Sequence, residues 1–247
     1  MIVIYFGRPA DIITYVSAER WTLLSSSIQC VLVATISLVF SGLLATFLLV
    51  LGLRSNQHLK LMEGMAAALQ TIPLLVIVTV TLLIQTQLMK SLNATLSAGW
   101  YCLLPVTVAL MFPPLANGAG AISRMPFHLK AMLRLWDAPS FWRIRHIYLP
   151  LAMPDILTGV RTSATWAVSA TLITEGLLNG VDGDSKTLGH FLVRPFSSSS
   201  SPGTTPSIII ISSLLGFLVY LMFVIIHRSA GNRLQGKSAT AEEEYPL

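Results

Sequence analysis

Four long blocks of this chain contain no charged residue, and this restricts its fold more than any other feature. The blocks are residues 21–53, 64–89, 91–123 and 195–226. About 20 helical residues, at a rise of 1.5 Å each, cross the hydrocarbon core of a bilayer, so every block is long enough for one span. Only 11% of the residues are charged, whereas soluble domains carry roughly 25%. The chain is therefore predicted to be an all-α integral membrane protein.

A fifth span is predicted between residues 155 and 180, although this segment contains Arg161 and Glu175. The five helices are expected near residues 28–53, 65–88, 98–118, 156–179 and 207–227. The third block holds Pro105, Pro113 and Pro114 and is too irregular for one straight helix, because proline lacks the backbone N–H.

This pattern divides the chain into three predicted parts. They are an N-terminal segment at the membrane interface (1–20), a transmembrane domain (21–228) and a polar tail (229–247). Between the third and fourth spans, the loop 124–150 holds five basic residues and one acid and cannot lie in hydrocarbon. Placing this loop in the cytoplasm puts eleven of the sixteen basic residues inside, as the positive-inside rule requires. The N-terminus is then outside and the C-terminus cytoplasmic.

The chain lacks the sequence motifs that several functional classes of protein require. There is no glycine-rich loop ending in Gly-Lys-Ser/Thr to bind ATP phosphates. The five histidines show no metal-ligand spacing, so neither a metal site nor an enzymatic activity is predicted. The formal net charge of +5 is explained by topology rather than by nucleic-acid binding. Cys30 and Cys102 fall within apolar blocks and are expected to be buried free thiols.

The end of the basic loop carries a recognisable motif, with the letters IYLP at 147–150 and GVR at 159–161. The segment resembles the transmembrane permease subunits of binding-protein-dependent ABC importers of the type I fold. Their cytoplasmic loop reads Glu-Ala-Ala, three residues, Gly, nine residues, then Ile-x-Leu-Pro. Counting back from Pro150 places the glycine position at Asp137 and the Glu-Ala-Ala positions at 131–133, where this chain has AML. The front half of the motif therefore departs from the family pattern.

The resemblance implies that a short helix around 131–137 is the coupling helix that seats in a cleft of the ATPase. Asp137 still suits the turn, because Asp tolerates left-handed backbone and caps helices, and Pro139 suits a first helical turn. The implied ATPase-coupling residues are Ala131, Met132, Leu133, Trp136, Asp137, Ala138, Phe141, Leu149 and Pro150. The alternative is a basic helix on the membrane surface without a partner.

Two further segments resemble these permeases, QTIP at 70–73 and FPPLANGAG at 112–120. The second, with Thr174 and Glu175, is similar to permeases for nitrate, sulfonate, taurine and bicarbonate; residues 69–73 and 159–166 are similar to those for glycine betaine and choline. The small-anion branch is preferred. Gln70, Thr71 and Glu175 are hypothesised to line the translocation pathway, because polar groups within spans usually face a bundle interior or water. The alternatives are helix packing for Gln70 and Thr71, and an interfacial position for Glu175.

The resemblance also implies partners that this chain would need in a bacterial inner membrane. ABC ATPase subunits would bind ATP, so no cofactor is expected on this chain. A second permease, identical or different, would complete the pathway, and an extracytoplasmic substrate-binding protein would deliver substrate. The competing hypothesis is a secondary transporter or scaffold that works without an ATPase, for which no internal repeat is evident.

Overall fold

The computed structural model describes residues 13, 16–53, 56–92, 98–135, 140–179, 187–191 and 204–243, and within these ranges it contains helices and no strand. The helices are α1 (Arg20–Gly52), α2 (Asn56–Thr71), α3 (Leu74–Leu92), α4 (Ala98–Tyr101), α5 (Leu103–Leu110), α6 (Phe112–Ser123), α7 (Phe127–Leu135), α8 (Ser140–Arg143), a π-helical turn (Ile144–Tyr148), α9 (Leu149–Asn179) and α10 (Thr204–Glu243). The prediction of an all-α membrane protein is confirmed.

Four stretches in the described part of the chain are long and apolar enough to cross a membrane. They are Arg20–Gly52, Leu74–Ser91, Leu103–Ser123 and Ser207–Ile226. The fifth predicted span lies within α9, a 31-residue helix that also carries Asp155, Arg161 and Glu175. Its start was predicted wrongly at residue 156, because α9 begins at Leu149.

Prolines decide where two of the predicted spans are broken. The helix predicted over residues 65–88 is two helices, since α2 ends at Thr71 and α3 begins at Leu74. Pro73 lies in the gap and has no N–H to continue the helical ladder. The irregularity predicted for the third block is confirmed, because Pro113 and Pro114 cannot bond back to the preceding turn and α6 starts anew at Phe112.

The first compact unit comprises residues 1–41, 72–110 and 164–219. Helix α3 packs against α5, and Val33, Leu82, Cys102 and Leu178 form a buried apolar cluster. Cys30 and Cys102 are buried free thiols, as expected from the sequence.

The second compact unit comprises residues 42–71, 111–163 and 220–247. Helix α2 packs along α6. The apolar core is made by one face each of α1, α2, α6 and α9, and its buried members are Ala45, Leu49, Leu59, Ala66, Leu115, Ala119, Ile122, Ala152 and Ile156. This unit carries the loop 124–150, so its packing sets where that loop emerges.

Candidate functional site

A close approach between α9 and α6 fixes the frame that carries the loop. Gly159 is buried in the second unit, and a Cβ built on it would lie 2.5 Å from the Pro114 nitrogen and 2.7 Å from the Pro113 carbonyl carbon. These are backbone atoms, so no side-chain rearrangement can make room. The glycine of GVR and the prolines of FPPLANGAG, two segments singled out in the sequence, are therefore the two sides of one helix contact.

The described part of the loop consists of α7, α8 and the π-helical turn that leads into α9. Leu133 on α7 is buried, whereas Met132 is 64% exposed. On α8, Phe141 is 72% exposed, and the guanidinium of Arg143 donates a hydrogen bond to the Leu133 carbonyl oxygen across 3.5 Å. This bond links α8 to α7, while Met132 and Phe141 are the two most exposed large apolar side chains of the described part of the loop.

The π-helical turn has a local cause in Pro150. In an uninterrupted α-helix the proline ring would collide with the carbonyl group four residues earlier, that of His146. The wider turn from Ile144 to Tyr148, closed by the Leu149 N–H bonding to the Ile144 carbonyl, precedes the proline and relieves this crowding. Pro150 was predicted to end the loop, but the helix runs on through it.

The remaining predicted coupling residues divide into two groups. Ala131 and Leu149 are half-buried, and Pro150 is exposed. Trp136, Asp137 and Ala138 lie outside the described residues, as does the turn predicted at Asp137. Helix α7 ends at Leu135 and α8 begins at Ser140, so a helix is present where the coupling helix was predicted, beginning four residues earlier. Its contact with an ATPase stays a prediction.

Gln70 and Thr71 lie in the last turn of α2, beside the break at Pro73. The Gln70 side-chain amide donates to the Phe112 carbonyl oxygen at 3.2 Å, which ties the end of α2 to the start of α6. The Thr71 hydroxyl donates to the Ala68 carbonyl oxygen of its own helix. Both side chains remain largely exposed on this chain. Gln70 thus makes a contact between two helices, as the helix-packing alternative predicted. Its role in lining a pathway stays a prediction.

Glu175 lies in the first unit near the end of α9 and is 1% exposed. Its Oε2 accepts a hydrogen bond from the backbone N–H of Gly189 at 2.9 Å. The carboxyl group is thus enclosed by protein, and the interfacial position stays an open alternative, since burial does not fix depth in the membrane. Lining of a pathway stays a prediction.

Two polar contacts in the second unit join residues far apart in sequence, and of the four residues involved only Arg161 was noted in the sequence. The Ser123 hydroxyl donates to Glu63 Oε2 at 2.7 Å, which links α2 to the last residue of α6, immediately before the loop. The Arg161 guanidinium donates to the Tyr220 hydroxyl at 3.0 Å and lies 5.7 Å from that ring's centroid. In the sequence, Glu63 stands out as an acid next to a long uncharged block. Its partner Ser123 could not be identified from the sequence, because it lies 60 residues away.

Removing the Glu63 carboxyl group should destabilise the second unit, because it removes the hydrogen bond from the Ser123 hydroxyl that links α2 to the end of α6. A double-mutant cycle with Glu63→Ala and Ser123→Ala should give an interaction free energy of about 1.5 kcal/mol, the lower end of the range for a hydrogen bond to a charged group. The measurement is reversible unfolding of the purified chain in mixed micelles. Ser91→Ala, which removes a hydroxyl bonded within its own helix, should not couple with Glu63→Ala, and an additive cycle for Glu63 and Ser123 would contradict the expectation.

Among the residues that the structure describes, no group of three or more His, Cys, Asp or Glu side chains could hold a metal ion. The family described as "Binding-protein-dependent transport system inner membrane component" matches residues 49–232. No curated protein matches the sequence.

The fold is shared with solved structures, two of which follow. One is titled "Inward facing conformations of the MetNI methionine ABC transporter", with a TM-score of 0.61 and 13% identity, covering 86% of this chain and 97% of that one. The other, "Crystal structure of an amino acid ABC transporter with histidines", has a TM-score of 0.58 and 14% identity, covering 94% and 100%. The predicted similarity to type I importer permeases is confirmed at the level of family and fold.

Proposed function

This chain belongs to the family of inner membrane components of binding-protein-dependent transport systems, and from that membership we propose that it forms half of the pathway of an ATP-driven importer. The observation that carries the proposal is the loop 124–150, built from short helices braced on the second unit and exposing Met132 and Phe141. Separate ATPase subunits supply the energy, and these two side chains are the contact through which it arrives.

The mechanism requires two permease chains, two ATPase subunits and an external binding protein. ATP binding closes the ATPase pair, which draws the two loops together. Because α9 follows the loop without a break, a displacement of the loop moves α9. Rocking of packed helices then opens the pathway alternately to each side. The departure of residues 131–133 from the family motif supports pairing with a second, different permease as an alternative to a homodimer.

The grouping of basic residues supports a cytoplasmic position for the second unit. Six basic side chains of the described residues belong to it, namely Lys60, Arg124, Arg143, Arg145, Arg161 and Arg228, while Arg20 and Lys90 belong to the first unit. Lys and Arg accumulate on the cytoplasmic side of membrane proteins. We therefore expect the loop 124–150, which belongs to the second unit, to face the ATPase.

The substrate is a small anion such as nitrate, a sulfonate, taurine or bicarbonate, on the strength of the resemblance at residues 112–120 and at Thr174 and Glu175. The titles of the two structures with the same fold concern methionine and amino acids, so a transport panel has to include these beside the anions and glycine betaine. Gln70 and Thr71, exposed where α2 ends, are proposed to line the pathway once a second permease covers them.

The test is to purify the tagged chain in mild detergent, identify its companions by mass spectrometry and reconstitute them in proteoliposomes. An ABC ATPase should co-purify, and uptake should require ATP inside the vesicle and binding protein outside. The control replaces the catalytic acid of the ATPase, which should abolish uptake while leaving the complex assembled. If the chain purifies without an ATPase and transports down an ion gradient, the secondary-transporter hypothesis replaces this one.

A further inference from the structure

A short segment of the predicted outer loop is packed into the first unit against α9. The described residues 187–191 start with Thr187 and continue as one helical turn. Thr187 is buried, Leu188 is fully buried and Phe191 is 6% exposed, while His190 is half-exposed. This segment therefore has one face fixed in the protein and one face accessible.

The segment is held at its centre by Glu175. The Oε2 atom of this carboxyl group accepts the backbone N–H of Gly189 at 2.9 Å. A buried N–H without an acceptor is costly, and bonds to carboxyl groups are among the stronger ones. Glu175 thus performs a task that no apolar residue at this position could perform.

Gly189 is itself fitted to this contact. A Cβ added to it would lie 2.5 Å from the Leu172 carbonyl oxygen and 2.6 Å from the Gly176 nitrogen. Both are backbone atoms of α9, so a side chain at residue 189 would force the segment away from the helix. The hydrogen bond to Glu175 and the close backbone contact at Gly189 are two independent observations. Both place the segment 187–191 at the same position on α9.

We propose that Glu175 is a positioning residue that clamps the segment 187–191 to the end of α9, so that binding-protein docking on the outer loop is passed to this helix. The inference rests on the proposed function for the identity of the docking partner, whereas the clamp itself concerns this chain alone. Because α9 continues to the π-helical turn and the loop, Glu175 joins the outer segment to the helix whose other end leads to the ATPase contact.

The clamp is tested by thiol labelling of His190→Cys in the purified full-length chain, since Cys30 and Cys102 are buried. Glu175→Leu should raise the rate of maleimide labelling by about tenfold, the factor expected for loss of one such hydrogen bond. Glu175→Gln, which keeps an acceptor, should restore slow labelling. Thr174→Val is the matched control, because Thr174 is equally buried but bonds to Ala170 of its own helix, and it should leave the rate unchanged.

Gly189→Ala provides an independent route to the same result and should also accelerate labelling, with Glu175 intact. If Glu175→Leu yields no folded protein, the labelling rate of Gly189→Ala decides whether the clamp exists. All variants carry His190→Cys. Equal labelling rates in the His190→Cys parent and in its Glu175→Leu and Gly189→Ala derivatives would overturn the clamp.

The functional consequence is measured in the reconstituted complex with binding protein. Glu175→Leu should raise the binding-protein concentration that half-saturates ATPase stimulation by about tenfold, and Glu175→Gln should return it near the wild-type value. An unchanged half-saturating concentration in a chain whose labelling is accelerated would overturn the link to docking. If the wild-type complex has no ATPase activity that responds to binding protein, the proposed function has failed, whereas the labelling result still decides the clamp.

Discussion

Phe141→Ala should detach the ATPase from the permease. Phe141 is the most exposed large apolar side chain of the described part of the loop, and aromatic anchors that fill a partner's pocket commonly contribute 2 kcal/mol or more to an interface. We expect the dissociation constant of the isolated ATPase for the chain in nanodiscs to rise roughly 30-fold. Met132→Ala should have a smaller effect in the same direction, since its side chain is flexible and has no rigid ring.

The matched control is Phe217→Ala on α10, which removes the same ring from a site of similar exposure within a predicted span. This variant should bind the ATPase as wild type does. Unchanged affinity in Phe141→Ala would favour the alternative of a helix on the membrane surface without a partner. Equal losses in both variants would indicate a general loss of stability rather than a docking contact.

Gly159→Ala should destabilise the chain by about 3 kcal/mol, the upper part of the usual range for overpacking. The added methyl group meets the backbone of Pro113 and Pro114, and two rigid proline residues cannot move aside as a side chain can. The expected results are a lower Tm of the purified protein and less protein in the membrane. Loss of transport should follow, because α9 can no longer lie against α6 and the loop between them is displaced.

Gly64→Ala is the control, since no atom lies within 4 Å of the position of its Cβ. Within helix α2 this change should stabilise by roughly 0.5–1 kcal/mol, because alanine loses less conformational freedom than glycine on forming a helix. A Gly159→Ala protein with the wild-type Tm would show that α6 and α9 have room to separate and would contradict the close contact.

The class of the fold could be predicted because its causes are local. Blocks without charge have to be helical to cross hydrocarbon, where every backbone group needs a partner, and their lengths set the number of spans. The break near Pro113 was predicted from the N–H that proline lacks, and the break at Pro73 has the same local cause although a single helix was predicted there. Motif spacing predicted a turn at Asp137, which lies outside the described residues, between the end of α7 at Leu135 and the start of α8 at Ser140.

The limits of the helices were less predictable. Pro150 was taken as a boundary, yet α9 begins one residue earlier, because a π-helical turn removes the collision that proline causes. A proline within a helix usually kinks or breaks it, so the sequence did not predict a helix that continues through Pro150. The partner of Gln70, Phe112, lies 42 residues away and could not be read from the local sequence.

The sequence by itself determined that this chain is a helical membrane protein with a basic loop between its third and fourth spans, since charge and hydrophobic length act through the solvent on each segment separately. Only the tertiary structure decided that Gly159 is the point where α9 meets α6, that Glu63 secures Ser123, and that Glu175 holds Gly189. These contacts join segments 14 to 60 residues apart, and their energies arise from distances that exist only once the helices have packed.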